Sequence, residues 1–149
     1  MKLEEEIKQK KFRNSYHKLA VNIIYTHGWL MQRQNKLLKQ HDLTGSQFNI
    51  LRILRGQHPE PASVSLLQER MLDKLSDASR LVERLREKGF VDRKVCPSNR
   101  RKAEVVVTES GLKALDEIDK LNNEVDSQFK NLTTKEAETI NNLLDKLRG

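Results

Sequence analysis

Three consecutive basic residues, Arg100, Arg101 and Lys102, form the densest cluster of positive charge in the sequence. They follow an apolar-polar alternation, 90–95, and precede a β-branched run, 105–108, so the segment predicts a hairpin with the basic cluster at its turn. Guanidinium and ammonium groups bind phosphate oxygens, and an arginine at a hairpin tip can enter a narrow minor groove of DNA. We therefore interpret the cluster as a site for a polyanion, with Arg101 as the inserted residue.

A short helix is predicted immediately before this hairpin, over 76–88, and its two sides differ in character. At about 100° per residue, one side collects Ala78, Leu81, Val82 and Leu85, which we expect to face the core. The N-terminal part of a helix that enters a major groove contacts base edges, and its polar side chains can also bind phosphates. The candidates for such contacts are Ser76, Asp77, Ser79 and Arg80, with Arg84 flanking them.

The first predicted strand carries two further basic residues, Arg93 and Lys94. We expect them to contact phosphate or to brace the hairpin. An ordinary solvated surface is the alternative for all of these side chains, since charged residues mostly lie in water without a specific partner. The position of the helix beside a basic hairpin favours nucleic-acid binding. In that arrangement Arg80 can make a bidentate contact with a guanine.

Helical periodicity covers most of the remaining sequence. Apolar residues recur at intervals of three and four over 5–40, which predicts one long amphipathic helix. A second helix begins at Thr44, which can form a capping box with Gln47, and ends near Gly56. The other helices begin at Ser63 or Ser65, at Thr108 with a stripe that runs to Phe129, and at Thr133 or Thr134. The sequence therefore predicts a mainly α fold with a small β hairpin.

The first and last predicted helices are amphipathic and flank a compact middle segment, 43–108. A segment of that size cannot bury both apolar faces, so we expect 1–42 and 109–149 to pair with the same helices of a second chain. The chain is then a single domain, 1–149, whose working lobe lies between two dimerisation segments.

The formal net charge of +7 and an isoelectric point of about 9.6 suit a polyanionic partner. Nine basic against four acidic side chains lie in 76–102, so the excess is concentrated on the predicted helix and hairpin. No apolar run approaches the roughly 20 residues that span a membrane, and the polar N-terminal residues predict no signal peptide. We expect a cytoplasmic protein without a membrane partner.

Other side chains capable of chemistry are scattered. The single cysteine, Cys96, lies in the hairpin, and we interpret it as a bystander thiol rather than a redox sensor. The four histidines lack partners at metal-ligand spacing, and neither a catalytic triad nor a phosphate-binding loop occurs. We therefore predict no metal, no cofactor and no enzymatic activity.

Five pieces of the sequence, taken in order, resemble one known family. They are 43–48 at the start of the second helix, 79–85 in the short helix, 88–93 entering the hairpin, 99–102 at its tip, and 108–111 at the start of the fifth helix. Together they resemble the winged helix-turn-helix of MarR-type transcriptional regulators. Asn99 stands where the family's Asp-x-Arg triplet has its aspartate, while Arg101 keeps the arginine, so the tip lacks the family's Asp–Arg ion pair.

The resemblance implies that the short helix is a recognition helix and that the hairpin beside it is the wing. It also implies a homodimeric, sequence-specific DNA-binding regulator, a ligand-responsive repressor that binds double-stranded DNA at a pseudo-palindromic operator. The resemblance also implies a pocket for a small-molecule effector between the dimerisation helices and the DNA-binding lobe. Tyr25 and Trp29 on the first helix are the candidate contacts there, with core packing or a dimer contact as the favoured alternative. The alternative is a helical homodimeric adaptor that docks its basic hairpin on an acidic protein, and sequence preference on DNA distinguishes the two.

Overall fold

The structure is a computed structural model that describes the backbone of residues 1–96 and 99–149 and the side chains of residues 1–94 and 104–149. The helices are α1 (Leu3–Glu6), α2 (Ser15–Lys39), α3 (Gly45–Gln57), α4 (Val64–Arg70), α5 (Ala78–Glu87), α6 (Glu109–Asp119), α7 (Asn122–Ser127) and α8 (Thr134–Arg148). The strands are β1 (Ala62–Ser63), β2 (Val91–Cys96) and β3 (Asn99–Val107). The predicted mainly α fold with a small β hairpin is confirmed.

Hydroxyl side chains fix where several helices begin. The Thr44 hydroxyl accepts the Gln47 N–H at 3.2 Å, and the Gln47 side chain accepts the Thr44 N–H at 3.2 Å, which is the predicted capping box. Thr108 caps α6 through its hydroxyl alone, which accepts the Gly111 N–H at 3.1 Å. Of the alternatives left open by the sequence, Ser63 caps α4 and Thr133 caps α8.

The three strands form one antiparallel sheet in the order β1-β3-β2. β2 and β3 make the predicted wing, with Val91 paired to Val107 at its base. β1 pairs with β3 through Ala62 and Val105. The sequence did not reveal β1, because a strand of two residues is too short to show an alternation.

The first predicted helix is wrong before Ser15. A separate short helix, α1, precedes it, and α2 begins where the Asn14 side chain accepts the His17 N–H at 2.9 Å. Glu4 forms an ion pair with Lys18, so α1 lies back against the first turns of α2. The Asn14 cap and the Glu4–Lys18 ion pair therefore start the long helix at Ser15, although the apolar spacing alone would extend it further toward the N-terminus.

The fifth predicted helix is divided in two, because α6 ends at Asp119 and α7 begins at Asn122. Apolar side chains on both sides of the break, Ile118, Leu121 and Val125 among them, line the same cavity. An apolar stripe that keeps its phase across a short break looks continuous in the sequence, which explains the error.

The core lies between α5, the base of the wing and the helices around them. The predicted core side of α5 is confirmed for Ala78, Val82 and Leu85, which are fully buried, while Leu81 is half-buried at the edge of the core. They pack with apolar residues of α3, α4, the wing and α6, chiefly Leu51, Leu54, Leu67, Val91, Val105 and Leu115. This packing fixes α5 and leaves its opposite side in solvent.

The flanking helices keep large apolar side chains in solvent, among them Tyr16 and Ile24 on α2 and Leu143 and Leu147 on α8. Apolar surface of this kind usually contacts another molecule. Pairing of residues 1–42 and 109–149 between two chains stays a prediction. Within the described residues, every helix is too short or too polar to cross a membrane.

Candidate nucleic-acid interface

The recognition helix begins two residues later than predicted, and an aspartate determines its start. The Asp77 side chain accepts the Arg80 N–H at 3.3 Å and caps α5, so Ser76 and Asp77 precede the helix. Just before, the Asp73 carboxylate accepts the Leu75 N–H at 3.0 Å and closes a turn. Ser76 therefore belongs to the turn between α4 and α5, because two aspartate side chains compete with the helix for backbone N–H groups.

Ser76 is half-buried and already hydrogen-bonded. Its hydroxyl donates to Asp73 Oδ2 at 3.0 Å and lies 3.4 Å from the Ser46 hydroxyl on α3. Its carbonyl accepts from Gln68 Nε2 at 2.7 Å. These contacts give Ser76 a role in fixing the turn, and a contact with DNA stays a prediction.

Ser79 and Arg80 lie on the exposed side of the first turn of α5. Two neighbouring arginines have acidic partners, since Arg84 lies 3.6 Å from Glu87 and Arg86 donates to Glu83 at 2.6 Å. Among the described residues no carboxylate lies within ion-pair distance of Arg80. Its guanidinium is therefore available to the edge of a guanine or to a phosphate.

Asp77 presents a different chemistry at the same end of the helix. Its carboxylate is exposed and can only accept hydrogen bonds. Phosphate repels it, whereas the amino group of cytosine in the major groove donates to such an acceptor. A contact between Asp77 and DNA stays a prediction, and its chemistry restricts that contact to a base edge.

Side chains from α3 and α4 anchor both ends of α5. At the N-terminal end, Gln68 Oε1 accepts the Ala78 N–H at 2.9 Å. At the C-terminal end, Lys88 Nζ donates to Gln47 Oε1 at 3.0 Å, and Gln47 is itself buried. The helix is thus held at a defined angle to α3, as a reader of base edges must be.

Arg93 and Arg84, two of the predicted DNA contacts, lie against acidic residues of α5. Arg93 Nη1 is 3.9 Å from Glu83 Oε2, so Arg93 joins the wing to the recognition helix. The hydrogen bond from Arg86, with the charge of Arg93, lowers the pKa of Glu83 and keeps the carboxylate ionised. These pairs favour bracing over phosphate binding for Arg93, which was one of its two predicted roles.

The base of the wing is fixed by the start of α6. The Thr108 N–H donates to the Phe90 carbonyl at 3.0 Å, and the Thr108 hydroxyl donates to the Gly89 carbonyl at 2.7 Å. Gly89 adopts a φ of 78°, in the left-handed region that glycine tolerates best. Gly111, in the first turn of α6, packs directly on the Phe90 carbonyl.

The sequence predicted the basic triplet at the turn of the hairpin, but the triplet lies in strand β3. β3 begins at Asn99, which pairs with Cys96, and the register shifts between Val95 and Cys96. The side chains of Arg100, Arg101 and Lys102, with those of Asn99 and Cys96, lie outside the described residues. Their contacts with DNA, and the role of the thiol, stay predictions.

A cavity of about 300 Å³ opens between the flanking helices and α3. Its lining includes Leu30, Met31 and Leu37 of α2, Phe48 and Arg52 of α3, Ile118 of α6, Leu121, and Val125 and Asn122 of α7. The predicted ligand contacts, Tyr25 and Trp29, do not line it. The Tyr25 hydroxyl donates to Glu6 at 2.9 Å, which raises the tyrosine pKa, and the Trp29 ring lies 4.0 Å from the Arg33 guanidinium.

Two arginines of α3 share one carboxylate at the edge of this cavity. Arg55 makes two hydrogen bonds to Asp119, at 2.6 and 3.4 Å, and so ties α3 to the end of α6. Arg52 Nη1 lies 3.9 Å from the same carboxylate, and its guanidinium is 5.7 Å from the centre of the Phe48 ring. Within the lining of the cavity, Arg52 is the charged residue.

The cavity lining could not be separated from the core in the sequence. Leu30, Met31 and Leu37 belong to the predicted apolar stripe of the first helix, and that stripe gives no sign of where packing is incomplete. Arg52 could have been noticed as one of two charged residues, with Arg55, among the apolar residues of the second helix.

Comparisons with known proteins agree with this geometry. A profile of the MarR family matches residues 41–102. The HTH-type transcriptional repressor IacR of Pseudomonas putida is 31% identical over 120 residues, which span 80% of this chain and 71% of the relative. A mutant of MarR from E. coli, solved in complex with operator DNA, superposes with a TM-score of 0.80 at 23% identity, over 93% of this chain and 99% of that one. BpsR of Bordetella bronchiseptica, solved to explain how 6-hydroxynicotinic acid regulates its DNA binding, gives a TM-score of 0.67 at 24% identity, over 86% and 99% of the two chains.

Proposed function

This chain belongs to the MarR family of transcriptional regulators, and we propose that it is a homodimeric, ligand-responsive repressor that binds a pseudo-palindromic operator in double-stranded DNA. The repressor role is supported by the relative from P. putida, and DNA binding by the fold shared with the operator complex of the E. coli protein. The proposal places the protein in the cytoplasm and gives it no catalytic activity.

One observation carries the proposal. α5 is capped by Asp77 and anchored at both ends, and it presents Ser79 and an Arg80 without an ion-pair partner among the described residues. The wing lies beside it, joined through Arg93 and Glu83. A fixed helix with a polar N-terminal end can enter a major groove, while the adjoining hairpin reaches the neighbouring minor groove.

Two copies are needed for specificity, because one lobe reads only a few base pairs. The exposed apolar side chains of α2 and α8 provide a surface on which two chains can pair. The two recognition helices then enter successive major grooves, with half-sites about one helical turn apart.

We expect the protein to shift a DNA fragment from its own upstream region in a gel, in preference to random DNA of the same length. The logarithm of the affinity should fall linearly with the logarithm of the salt concentration, with a slope of about −0.9 for each phosphate neutralised. Equal affinity for random DNA and for every intergenic fragment tested would exclude a specific regulator and favour the adaptor.

The cavity is the proposed effector site, and its lining indicates the class of ligand. Apolar residues surround most of it and Arg52 supplies one positive charge, so an apolar body with a carboxylate fits best. A ligand of this class would draw Arg52 away from Asp119, the residue that also holds Arg55. The effector would thereby change the contact between α3 and α6 and the position of the lobe.

Benzoate is a suitable probe of this site. We expect millimolar benzoate to weaken operator binding by the wild type, and Arg52→Gln to raise the benzoate concentration needed by about 10- to 150-fold, the value of a charged hydrogen bond. Benzamide, which lacks the charge, should act weakly. The control is Arg33→Gln, whose guanidinium lies over Trp29 outside the cavity. An equal response of both variants, or of both compounds, would contradict the site.

A further inference from the structure

The turn between α4 and α5 holds two leucines in solvent. Leu72 is 87% exposed and Leu75 is 96% exposed, which makes Leu75 one of the most exposed apolar side chains described. Single exposed leucines are common on protein surfaces. The position of Leu75 is less common, because it lies two residues before the Asp77 cap of the recognition helix.

The exposure of Leu75 is imposed by a hydrogen-bonded turn. The Asp73 carboxylate accepts the Leu75 N–H and the Ser76 hydroxyl, both at 3.0 Å. The Asp73 carbonyl accepts the Ser76 N–H at 3.2 Å, and Gln68 holds the Ser76 carbonyl at 2.7 Å. The backbone on both sides of Leu75 is thus fixed, and the side chain points away from the core that receives Met71 and Ala78.

Leu75 immediately precedes, along the chain, the side chains that the proposed function places on DNA. The next exposed side chains along the chain are Asp77, Ser79 and Arg80, at the end of α5 that meets base edges. A leucine neither donates nor accepts a hydrogen bond, so it cannot bind phosphate or recognise the polar edge of a base. The apolar group in the major groove is the C5 methyl of thymine.

We propose that Leu75 is a specificity-determining residue that contacts the C5 methyl of a thymine in each operator half-site. The inference rests on the proposed function, since it requires α5 to lie in a major groove. It adds a thymine preference at the edge of the half-site to the polar contacts of Ser79 and Arg80. Burial of the solvated leucine is most favourable where an apolar methyl replaces the water, so the contact favours a thymine over the other bases at that position.

The test removes the methyl from the DNA and the side chain from the protein. Each thymine of the bound operator is replaced in turn by deoxyuridine, which lacks only the C5 methyl. Wild-type protein should lose about 4-fold in affinity per methyl at one position in each half-site, the value of one buried carbon group. Leu75→Ala should bind the thymine operator more weakly, and it should no longer distinguish thymine from deoxyuridine at that position.

Leu72→Ala is the matched control, because it removes the same side chain from the same turn. Leu72 donates its backbone N–H to Asn49 Oδ1 at 2.9 Å, a contact that alanine keeps. This variant should retain the wild-type preference for thymine. Circular dichroism and thermal melting of both variants check that the fold is unchanged, as expected for two exposed positions.

The outcomes separate the inference from the proposed function. If the wild type binds no fragment in preference to random DNA, the proposed function fails and the inference fails with it. If the wild type binds its operator but no deoxyuridine substitution weakens binding, or if Leu75→Ala keeps the preference for thymine, only the inference is overturned. A loss of affinity in Leu75→Ala without loss of that preference also overturns it, because a contact with sugar or with a protein partner would then be responsible.

Discussion

Arg80→Ala is expected to lower affinity for the operator by about 1–3 kcal/mol per half-site, because the exposed guanidinium at the start of α5 is the side chain best placed for a bidentate contact with a base. Two half-sites double this loss in a symmetric dimer. Non-specific binding should fall far less, since one of many positive charges is removed. Titrations against operator and random DNA at the same salt concentration measure both effects.

Arg86→Ala is the control for Arg80. It removes an exposed arginine from the same helix, but one that is committed to Glu83 by two hydrogen bonds, at 2.6 and 3.2 Å. Its affinity for the operator should stay close to that of the wild type. If both variants lose equal affinity for operator and random DNA, Arg80 contributes only charge and does not read a base.

Gly111→Ala is expected to lower the free energy of unfolding by at least about 1–3 kcal/mol, the cost of overpacking a closed site. A Cβ at this position would lie 2.4 Å from the Phe90 carbonyl oxygen and 2.8 Å from Val107 Cγ2. The carbonyl is backbone just before β2, so it cannot turn aside as a flexible side chain would. α6 or the base of the wing must shift to make room. The affinity for the operator should therefore fall together with the free energy of unfolding. Thermal or urea unfolding measures the first effect.

Gly56→Ala provides a control of opposite sign. Gly56 lies in the last turn of α3, and a Cβ there would meet nothing within 4 Å. Alanine is favoured over glycine by about 0.5–1 kcal/mol in a helix interior and by less in the last turn, so this variant should be slightly more stable than the wild type. Equal destabilisation of the two variants would show that the close approach to Phe90 is not the cause.

Much of the interface could be predicted because it depends on local rules. Thr44 and Gln47 form a capping box from their spacing alone, and the buried side of α5 follows from the period of the helix. The outward direction of Arg80 is the complement of that buried side. In each case the residues that decide the structure lie within a few positions of one another.

The remainder depends on competition and on tertiary packing. Whether the helix starts at Ser76 or Ala78 depends on two aspartates, Asp73 and Asp77, that both offer acceptors to the same few N–H groups. β1 exists because β3 is present to pair with it. The cavity is a region where apolar helices fail to meet, and no pattern in one helix reports the distance to its neighbour.

The position of the cavity predicts that the affinity for an effector depends on whether DNA is bound. The cavity borders α3, and the buried Gln47 of α3 accepts a hydrogen bond from Lys88 at the end of α5. A ligand in the cavity and an operator on α5 therefore both contact helices that are bonded to each other. Coupling between two binding sites is reciprocal, and a ligand that weakens operator binding by some factor must itself bind the operator complex more weakly by that factor. The effector affinity of the free protein will therefore exceed that of the promoter-bound form. Titrations without DNA will give a lower threshold than the one at which transcription responds.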